Sequence, residues 1–505
     1  MDRAPTRAWA VLVALAPVVW AVTAAAQPAR RAEADLQRFE RRLEQIQQES
    51  RVRVDESIPV GQRLFVDYGA YLSTNYLSLD DSGGENRVLR QYELVGYSRF
   101  VLDAVHELFL RGSYEYRDFH AGDNFDLDDD DDDDETDEWQ FERAVYRFDL
   151  QRYLGAYRRR AIDENVIVEA GRDFVYWANG LVLADTIDGA RATIQWGGSD
   201  LVLLAGVTWP DAIDFDTSRP DFDDDTRRGF FGALWQTRLG RHRPFVYALA
   251  QQDYNDDVFV ISSPPIPGSP GLDVTTEFDY DSYYIGGGVN GSFTDRLAYG
   301  VEVVYEGGRG LSNSFTTVNG VLQQQPQTHE RIEAYAGAAR VEYLPFDARR
   351  TRFSAEAIAA TGDDDRLHTS NTFGGNAPGT TDRAFNAFGL VNTGVAFAPA
   401  LSNLLSARVG AATFPAPDVA AFRRLQVGAD LFVFAKSDAD APIDEPTTDE
   451  RYLGWEPDVF LNWQITSDVT LAVRYGVFFP GDAIADAGGD DDPRHFIFTG
   501  LTIAF

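Results

Sequence analysis

Arginine and carboxylate side chains recur at every second position in long segments of this 505-residue chain. In an extended strand, that spacing places them on one face. A guanidinium group stays protonated, and its planar fork can pair with both oxygens of a carboxylate, so arginines facing water suit an anionic solute. By this alternation the arginines on polar faces are Arg111, Arg117, Arg143, Arg147, Arg191, Arg352, Arg408, Arg424 and Arg474.

Carboxylates occupy the same polar faces, which leaves a second interpretation open. They are Asp67, Glu115, Glu302, Glu342, Glu356, Asp430, Glu456 and Asp458. Interleaved arginines and carboxylates can form a rigid lattice of ion pairs instead of a binding surface.

We predict that a solute path is lined by Arg191, Arg474, Arg143, Arg147, Arg111, Glu456 and Asp458. Arg172 is a further candidate, although its parity is that of the apolar face of Val166, Val168 and Ala170. It belongs to the path only if it lies above the bilayer or a β-bulge turns it inward.

The segments that carry these residues alternate between apolar and polar positions. In Leu471–Phe479, for example, alternate apolar residues oppose Arg474 and Gly476. Long strands with one apolar and one polar face, linked by alternating short and long connections, are typical of a transmembrane barrel. We therefore predict an all-β, antiparallel, up-and-down barrel of about 18 strands over residues 58–505. Residues 385–400 are either a strand or a loop folded into the lumen.

The two ends of the chain favour export to a bacterial outer membrane. Residues 1–26 have a basic start, an apolar stretch and a small-residue exit, which predicts a signal peptide. Residues 27–57 form a separate segment, in which 28–50 is predicted to be a short helix that binds a periplasmic partner or packs on the rim. The last strand ends at Phe505, a C-terminal aromatic residue that predicts recognition by the barrel-assembly machinery.

Composition excludes several classes of function. The formal charge is −35, so a phosphate-neutralising, nucleic-acid-binding surface is not expected. The chain has no cysteine, and its six histidines are scattered without a catalytic or phosphate-binding motif. We therefore predict a protein that is not an enzyme and uses no cofactor.

Runs of aspartate mark several predicted loops, and the longest is Asp128–Glu135. Asp128, Asp130 and Asp132 are weak candidates for a Ca²⁺ site, because calcium prefers oxygen ligands. The same runs could repel a polyanion from the outer rim, or could simply be solvated loops.

Three segments resemble the bacterial alginate-export porin family: Val166–Trp196, Leu453–Asp458 and Tyr475–Asp482. The resemblance implies an 18-stranded outer-membrane barrel and supports Arg191 and Arg474, which lie within these segments. The first segment departs from the family pattern at Asp173, where the family has glutamine.

The resulting hypothesis is an outer-membrane porin that exports an anionic polysaccharide of the alginate type through an arginine-lined pore. One alternative is a general or small-solute uptake porin. Another is a non-conducting surface protein whose acidic loops bind cations.

Overall fold

The computed structural model describes residues 59–120, 135–220, 222, 225–263, 272–318, 321–488 and 492–505. Within these ranges the regular secondary structure is almost entirely β-strand, with two short helices, α1 (Leu150–Arg158) and α2 (Asp482–Ala485). No helix in the described part of the chain has both the length and the apolar character needed to cross a bilayer. The predicted signal peptide and the 28–50 helix lie outside the described residues.

The strands are numbered in chain order. They are β1 (Leu64–Asp80), β2 (Asn86–Leu102), β3 (His106–Phe119), β4 (Glu135–Asp149), β5 (Asn165–Tyr176), β6 (Ala184–Trp196), β7 (Ser199–Thr208), β8 (Arg228–Thr237), β9 (His242–Asp253), β10 (Val258–Ser263), β11 (Leu272–Glu277), β12 (Tyr280–Thr294), β13 (Leu297–Leu311), β14 (Phe315–Val318), β15 (Val321–Gln324), β16 (His329–Tyr343), β17 (Arg352–Ala360), β18 (Leu404–Thr413), β19 (Leu425–Lys436), β20 (Tyr452–Gln464), β21 (Val469–Pro480) and β22 (Arg494–Ala504).

Eighteen of these strands form one closed antiparallel sheet, in which each strand pairs with the next barrel strand along the chain. The barrel closes where β1 pairs with β22, from Tyr71 opposite Ala504 to Leu79 opposite Phe496. Strands β10–β11 and β14–β15 form two separate hairpins within connections. The predicted barrel of about 18 strands is confirmed, and closure leaves it without an unpaired edge.

Alternation along the strands places exposed apolar residues outward, as the sequence predicts, while the lumen face is polar except where apolar residues such as Phe230 pack on residues filling the lumen. In β18, Leu405 and Val409 are exposed on the outward face, whereas Ser406 and Arg408 face the lumen. Exposed apolar side chains recur outward on other strands, including Ile285 and Val303. An apolar outer surface around a polar lumen suits a barrel surrounded by lipid.

The two ends of the barrel differ in their connections. The turn end carries the connections 103–105, 150–164, 197–198, 238–241, 295–296, 344–351, 414–424 and 465–468. The loop end carries the connections 81–85, 120–134, 177–183, 209–227, 254–279, 312–328, 361–403, 437–451 and 481–493.

Helix α1 lies at the turn end, and the sequence analysis did not predict it. Asp149 caps it by accepting a hydrogen bond from the Arg152 backbone N–H at 3.0 Å. The Tyr157 hydroxyl donates to the Asp103 carboxylate, and this hydrogen bond raises the pKa of Tyr157 to about 12. Asp103 also accepts the backbone N–H of Gly61 at 2.9 Å. One carboxylate thus joins α1 to the segment that precedes β1.

The loop half of the lumen is filled by two connections, 177–183 and 361–403, which we call the lumen plug. Its buried side chains include Trp177, Leu181, Phe385 and Phe388, and they pack in one hydrophobic cluster with wall residues such as Phe230. Residues 385–400 therefore form a loop inside the lumen, which was one of the two predicted alternatives.

Glu456 on β20 fixes one part of the plug to the wall. Its carboxylate accepts the backbone N–H groups of Val395 at 2.6 Å, Ala396 at 2.8 Å and Phe397 at 2.8 Å. Gly394 has a φ of 89°, and a Cβ atom there would approach Glu456 Oε1 to 2.5 Å. The turn can therefore present its amides to the carboxylate only because residue 394 is glycine.

Two glutamates on β13 hold the plug in the same way. Glu302 accepts the backbone N–H of Asn179 at 3.1 Å, and Glu306 accepts that of Asn386 at 2.9 Å. Both glutamates are fully buried. The plug is thus held by hydrogen bonds from its backbone to three wall carboxyl groups, in addition to its apolar contacts.

Replacing Glu456 should loosen the plug without opening the barrel. Each buried amide left without an acceptor costs about 1–3 kcal/mol, so Glu456→Ala should speed proteolysis within 361–403 and raise single-channel conductance. Limited proteolysis with mass spectrometry measures the first effect, and planar-bilayer recording measures the second. Glu342→Ala removes another lumen glutamate, one that forms no hydrogen bond with the plug in the described residues, and should leave the proteolysis rate unchanged, so the two variants are compared by proteolysis. Equal behaviour of the two variants, with both barrels folded by heat-modifiable gel migration, would contradict this account of the plug.

Candidate functional site: an arginine-lined vestibule

A cavity of about 400 Å³ lies in the turn half of the lumen, beneath the plug. We call it the vestibule. Its wall is formed mainly by β16–β21, and its roof includes Asn179, Leu181, Val391 and Val395 of the plug. The charged residues that line it are Arg340, Glu342, Arg352, Glu356, Arg408, Asp430, Asp458 and Arg474.

One row of cross-strand partners places two arginines at the same level of the wall. Arg352 pairs with Ala412, Ala412 with Gly428, Gly428 with Phe460, and Phe460 with Arg474. A Cβ atom on Gly428 would lie 2.2 Å from the Phe460 ring, so glycine lets this ring lie flat across the neighbouring strand. The Arg474 guanidinium lies 4.8 Å from the centroid of that ring, within cation–π range.

Arg408 is neutralised by two carboxylates. Its guanidinium contacts Glu356 at 2.6 Å and Asp430 at 3.2 Å. A Cβ atom on Gly410 would approach Asp430 Oδ1 to 2.0 Å, so glycine at this position lets Asp430 reach Arg408. Arg408 therefore belongs to the wall rather than to the cations available to a solute.

Three vestibule arginines form no ion pair in the described part of the chain, although Asp430 and Asp458 interact electrostatically with one of them, Arg474. Within the described ranges, Arg340, Arg352 and Arg474 have no carboxylate oxygen within the 4.0 Å of an ion pair. Arg340 and Arg352 are exposed to the lumen. Arg474 is partly buried, and its Nη1 has no hydrogen-bond partner. These guanidinium groups are free to pair with an anionic solute.

The opposite wall carries arginines that are already paired. Arg143 contacts Asp173 at 2.6 Å, and Arg191 contacts Glu169 at 2.7 Å and Asp173 at 3.5 Å. Arg147 lies 3.6 Å from Glu169. This part of the lumen wall is the ion-pair lattice that the sequence left as an alternative.

Two further predicted residues are also paired. Arg111 contacts Glu142 at 2.6 Å. Arg172 forms a 2.7 Å ion pair with Asp188 and lies 5.2 Å from the Trp209 ring centroid. Arg172 and Asp188 are directly opposite in register, and neither lines the vestibule.

The predicted residues therefore separate into three groups. Arg474 and Asp458 line the vestibule, Glu456 binds the plug, and the other predicted arginines lie in ion pairs away from the cavity. Arg340 was not predicted, although it shares a strand face with Glu342, which the alternation placed inward. The same alternation, applied to one more residue of β16, would have found it.

The predicted calcium ligands Asp128, Asp130 and Asp132 lie outside the described residues. At the loop end, Asp363, Asp364 and Asp365 each place one carboxylate oxygen within 4.8 Å of the others. The Asp363 oxygens, however, accept the backbone N–H groups of Asp365 at 2.8 Å and Arg383 at 2.5 Å. Calcium binding by the acidic loops stays a prediction.

Two solved structures resemble this barrel. OccAB1 of Acinetobacter baumannii has a TM-score of 0.50 and 11% identity, and the alignment covers 90% of this chain and 100% of that one. OccAB2 of the same organism has a TM-score of 0.50 and 9% identity, over 87% of this chain and 98% of that one. At this identity the likeness shows the fold alone, which is that of an outer-membrane porin.

The sequence gives the family. The model of the alginate export family matches residues 183–498, which is more than half of the chain. The chain belongs to this family, as its three motif segments predicted. No curated protein sequence matches the chain. Family and fold together describe an outer-membrane porin, a transport protein of the bacterial outer membrane.

The unpaired arginines should control ion preference. Arg340→Glu and Arg474→Glu each replace an uncompensated positive charge in the vestibule, so each should shift the zero-current potential in a KCl gradient towards cation preference. Arg331→Glu is the control, because Arg331 lies on the outward face of the same strand as Arg340. An unchanged potential in both vestibule variants, measured on folded barrels, would refute the assignment.

Proposed function

We propose that this porin exports an acidic polysaccharide, a polyuronate of the alginate type, through the vestibule. The observation that carries the proposal is the presence of three uncompensated arginines, Arg340, Arg352 and Arg474, around one cavity. Family membership supports the same class of cargo.

A polyuronate presents one carboxylate on each sugar. As the polymer passes, its carboxylates can therefore bind one arginine after another. A bidentate guanidinium–carboxylate contact is favourable in a confined site of low dielectric, and several such sites in a row allow a bound anion to move on. Arg352 and Arg474 occupy one register row, and Arg340 lies on the strand next to Arg352. The three groups thus lie on one wall of the vestibule, among its four carboxylates.

The orientation of the barrel supports outward passage. Outer-membrane barrels place short turns in the periplasm and long loops outside, so the vestibule faces the periplasm and the plug faces the exterior. Passage of a polymer then requires the plug to move, and its glutamate tethers are the contacts that must release.

Uptake of a small anionic solute is the second candidate. A cavity of about 400 Å³ is within the range that holds a single small ligand, and the vestibule arginines would recognise its carboxylate. This candidate shares the arginines with the first but needs only a small opening of the plug.

Two proposed partners concern the ends of the chain. Phe505 is exposed at the turn end and pairs with Ala70 through backbone hydrogen bonds of 2.9 and 3.1 Å. Its recognition by the barrel-assembly machinery stays a prediction. The same holds for a periplasmic partner of residues 28–50, which lie outside the described ranges.

Planar-bilayer recording with sodium oligomannuronate and a neutral maltooligosaccharide tests the proposal. We expect oligomannuronate to block the current and maltooligosaccharide to leave it unchanged. The triple variant R340Q/R352Q/R474Q should weaken the block about tenfold or more, because each lost charge-assisted hydrogen bond contributes about 1.5–3 kcal/mol. The variant R227Q/R309Q/R331Q removes three exposed loop-end arginines and should behave like the wild type.

Two other outcomes would distinguish the candidate functions. Block by a small carboxylate but not by oligomannuronate would favour the uptake candidate. Absence of any conductance, also in Glu456→Ala, would overturn both porin functions and leave a surface protein.

A further inference from the structure

The two ends of the barrel have opposite charge. At the loop end the exposed charged residues are largely carboxylates, among them Asp225, Asp256, Asp364, Asp365, Asp440, Asp449 and Glu450. At the turn end the exposed charged residues are largely arginines, among them Arg158, Arg159, Arg160, Arg238, Arg296, Arg349, Arg350, Arg352, Arg423 and Arg424. A chain with a formal charge of −35 therefore presents a basic surface to the periplasm.

Five of these cations form a cluster that we call the arginine rim: Arg349, Arg350, Arg352, Arg423 and Arg424. All five are exposed. The rim comes from two connections, 344–351 and 414–424, which contact each other where Arg350 Nη2 donates to the Arg423 carbonyl at 3.3 Å. The Arg350 guanidinium also lies 4.0 Å from the Phe414 ring centroid.

The rim is not neutralised locally. Within the described ranges, none of its five arginines has a carboxylate oxygen within 4.0 Å. The acidic residue in the first connection, Asp347, accepts the backbone N–H of Thr351 at 2.8 Å and its hydroxyl at 2.6 Å. These hydrogen bonds hold the pKa of Asp347 below its usual value. This carboxylate thus stabilises a turn. It also interacts electrostatically with Arg349, but it forms no ion pair within 4.0 Å with a rim arginine.

The rim continues into the vestibule. Arg352 belongs to both, because it begins β17 and lines the cavity. Arg424 immediately precedes β19 and continues the lumen-facing alternation of Gln426 and Gly428. By this alternation Arg352 and Arg424 are directed to the mouth of the pore rather than to the lipid around it. This favours a soluble polyanion over lipid phosphates as the partner.

We infer that the arginine rim is the docking surface for an anionic polysaccharide at the periplasmic mouth, and that it sets the direction of loading. This inference rests on the proposed function, and it adds where the polymer first binds. Charged rims act mainly on association rate, because they attract the partner before close contact forms. The acidic loop end repels the same polymer, so capture is faster from the periplasmic side.

The test compares two triple variants in oriented planar bilayers with sodium oligomannuronate added to one side at a time. R349Q/R423Q/R424Q removes three rim charges but keeps Arg350 and its contact with Phe414. R158Q/R160Q/R238Q is the matched control, because it removes three exposed turn-end arginines outside the rim.

In the wild type we expect more frequent blocking events with periplasmic than with external addition. The rim variant should lower the periplasmic association rate about tenfold at low salt, weaken its salt dependence, and leave the duration of each block unchanged. The control variant should match the wild type.

Three outcomes would overturn the inference. If oligomannuronate does not block the wild type from either side, the proposed function and the inference both fail. If it blocks with the same rate from both sides, or the rim variant behaves like the control, the inference alone fails. If the rim variant loses only bound phosphatidylglycerol in native mass spectrometry, with its association rate unchanged, the rim is a lipid-binding surface instead.

Discussion

Hydrogen-bond satisfaction of the backbone in lipid is the constraint on which the rest of the structure depends. Hydrocarbon offers no partner to an amide, so a sheet that crosses it must close on itself. Pairing of β1 with β22 completes that closure, so every barrel strand has one face towards the outside and one towards the lumen. The apolar face then meets lipid, and the polar face encloses a lumen. In the loop half of this lumen the apolar plug, with buried residues such as Phe385, fills the space.

Within such a lumen, a charge is either compensated by a neighbour or available to a solute. In the wall of β4–β6 the charges are compensated, because Arg143 and Arg191 share the carboxylate of Asp173. In the wall of β16–β21, Arg340 and Arg474 form no ion pair within the described residues and are available to a solute. The same residue type thus has a structural role on one side of the barrel and a binding role on the other. Register alone does not decide this, because Glu356 lies opposite both Arg340 and Arg408 and forms its ion pair with Arg408.

The alternation of the sequence predicts the strands, the lumen-facing residues and the barrel closed by a C-terminal aromatic strand, since these depend on local periodicity. It does not predict which arginines are paired. Arg191 is neutralised because the register places Glu169 directly opposite it, and register depends on contacts between strands. For a similar reason the sequence did not decide whether residues 385–400 form a strand or a loop in the lumen. Their position depends on Glu456, which binds a loop some sixty residues earlier in the chain. Arg340 could have been predicted from the parity of Glu342 alone.

The central claim is that uncompensated vestibule arginines, and not the overall charge of −35, determine what passes this barrel. The most direct measurement is the zero-current potential of the wild-type protein in a planar bilayer with a KCl gradient near physiological ionic strength. The loop carboxylates are distant and screened, and the four vestibule carboxylates are buried or half-buried, whereas Arg340 and Arg352 are exposed to the lumen. The potential should therefore have the sign of chloride preference. A potential with the sign of potassium preference would contradict the account.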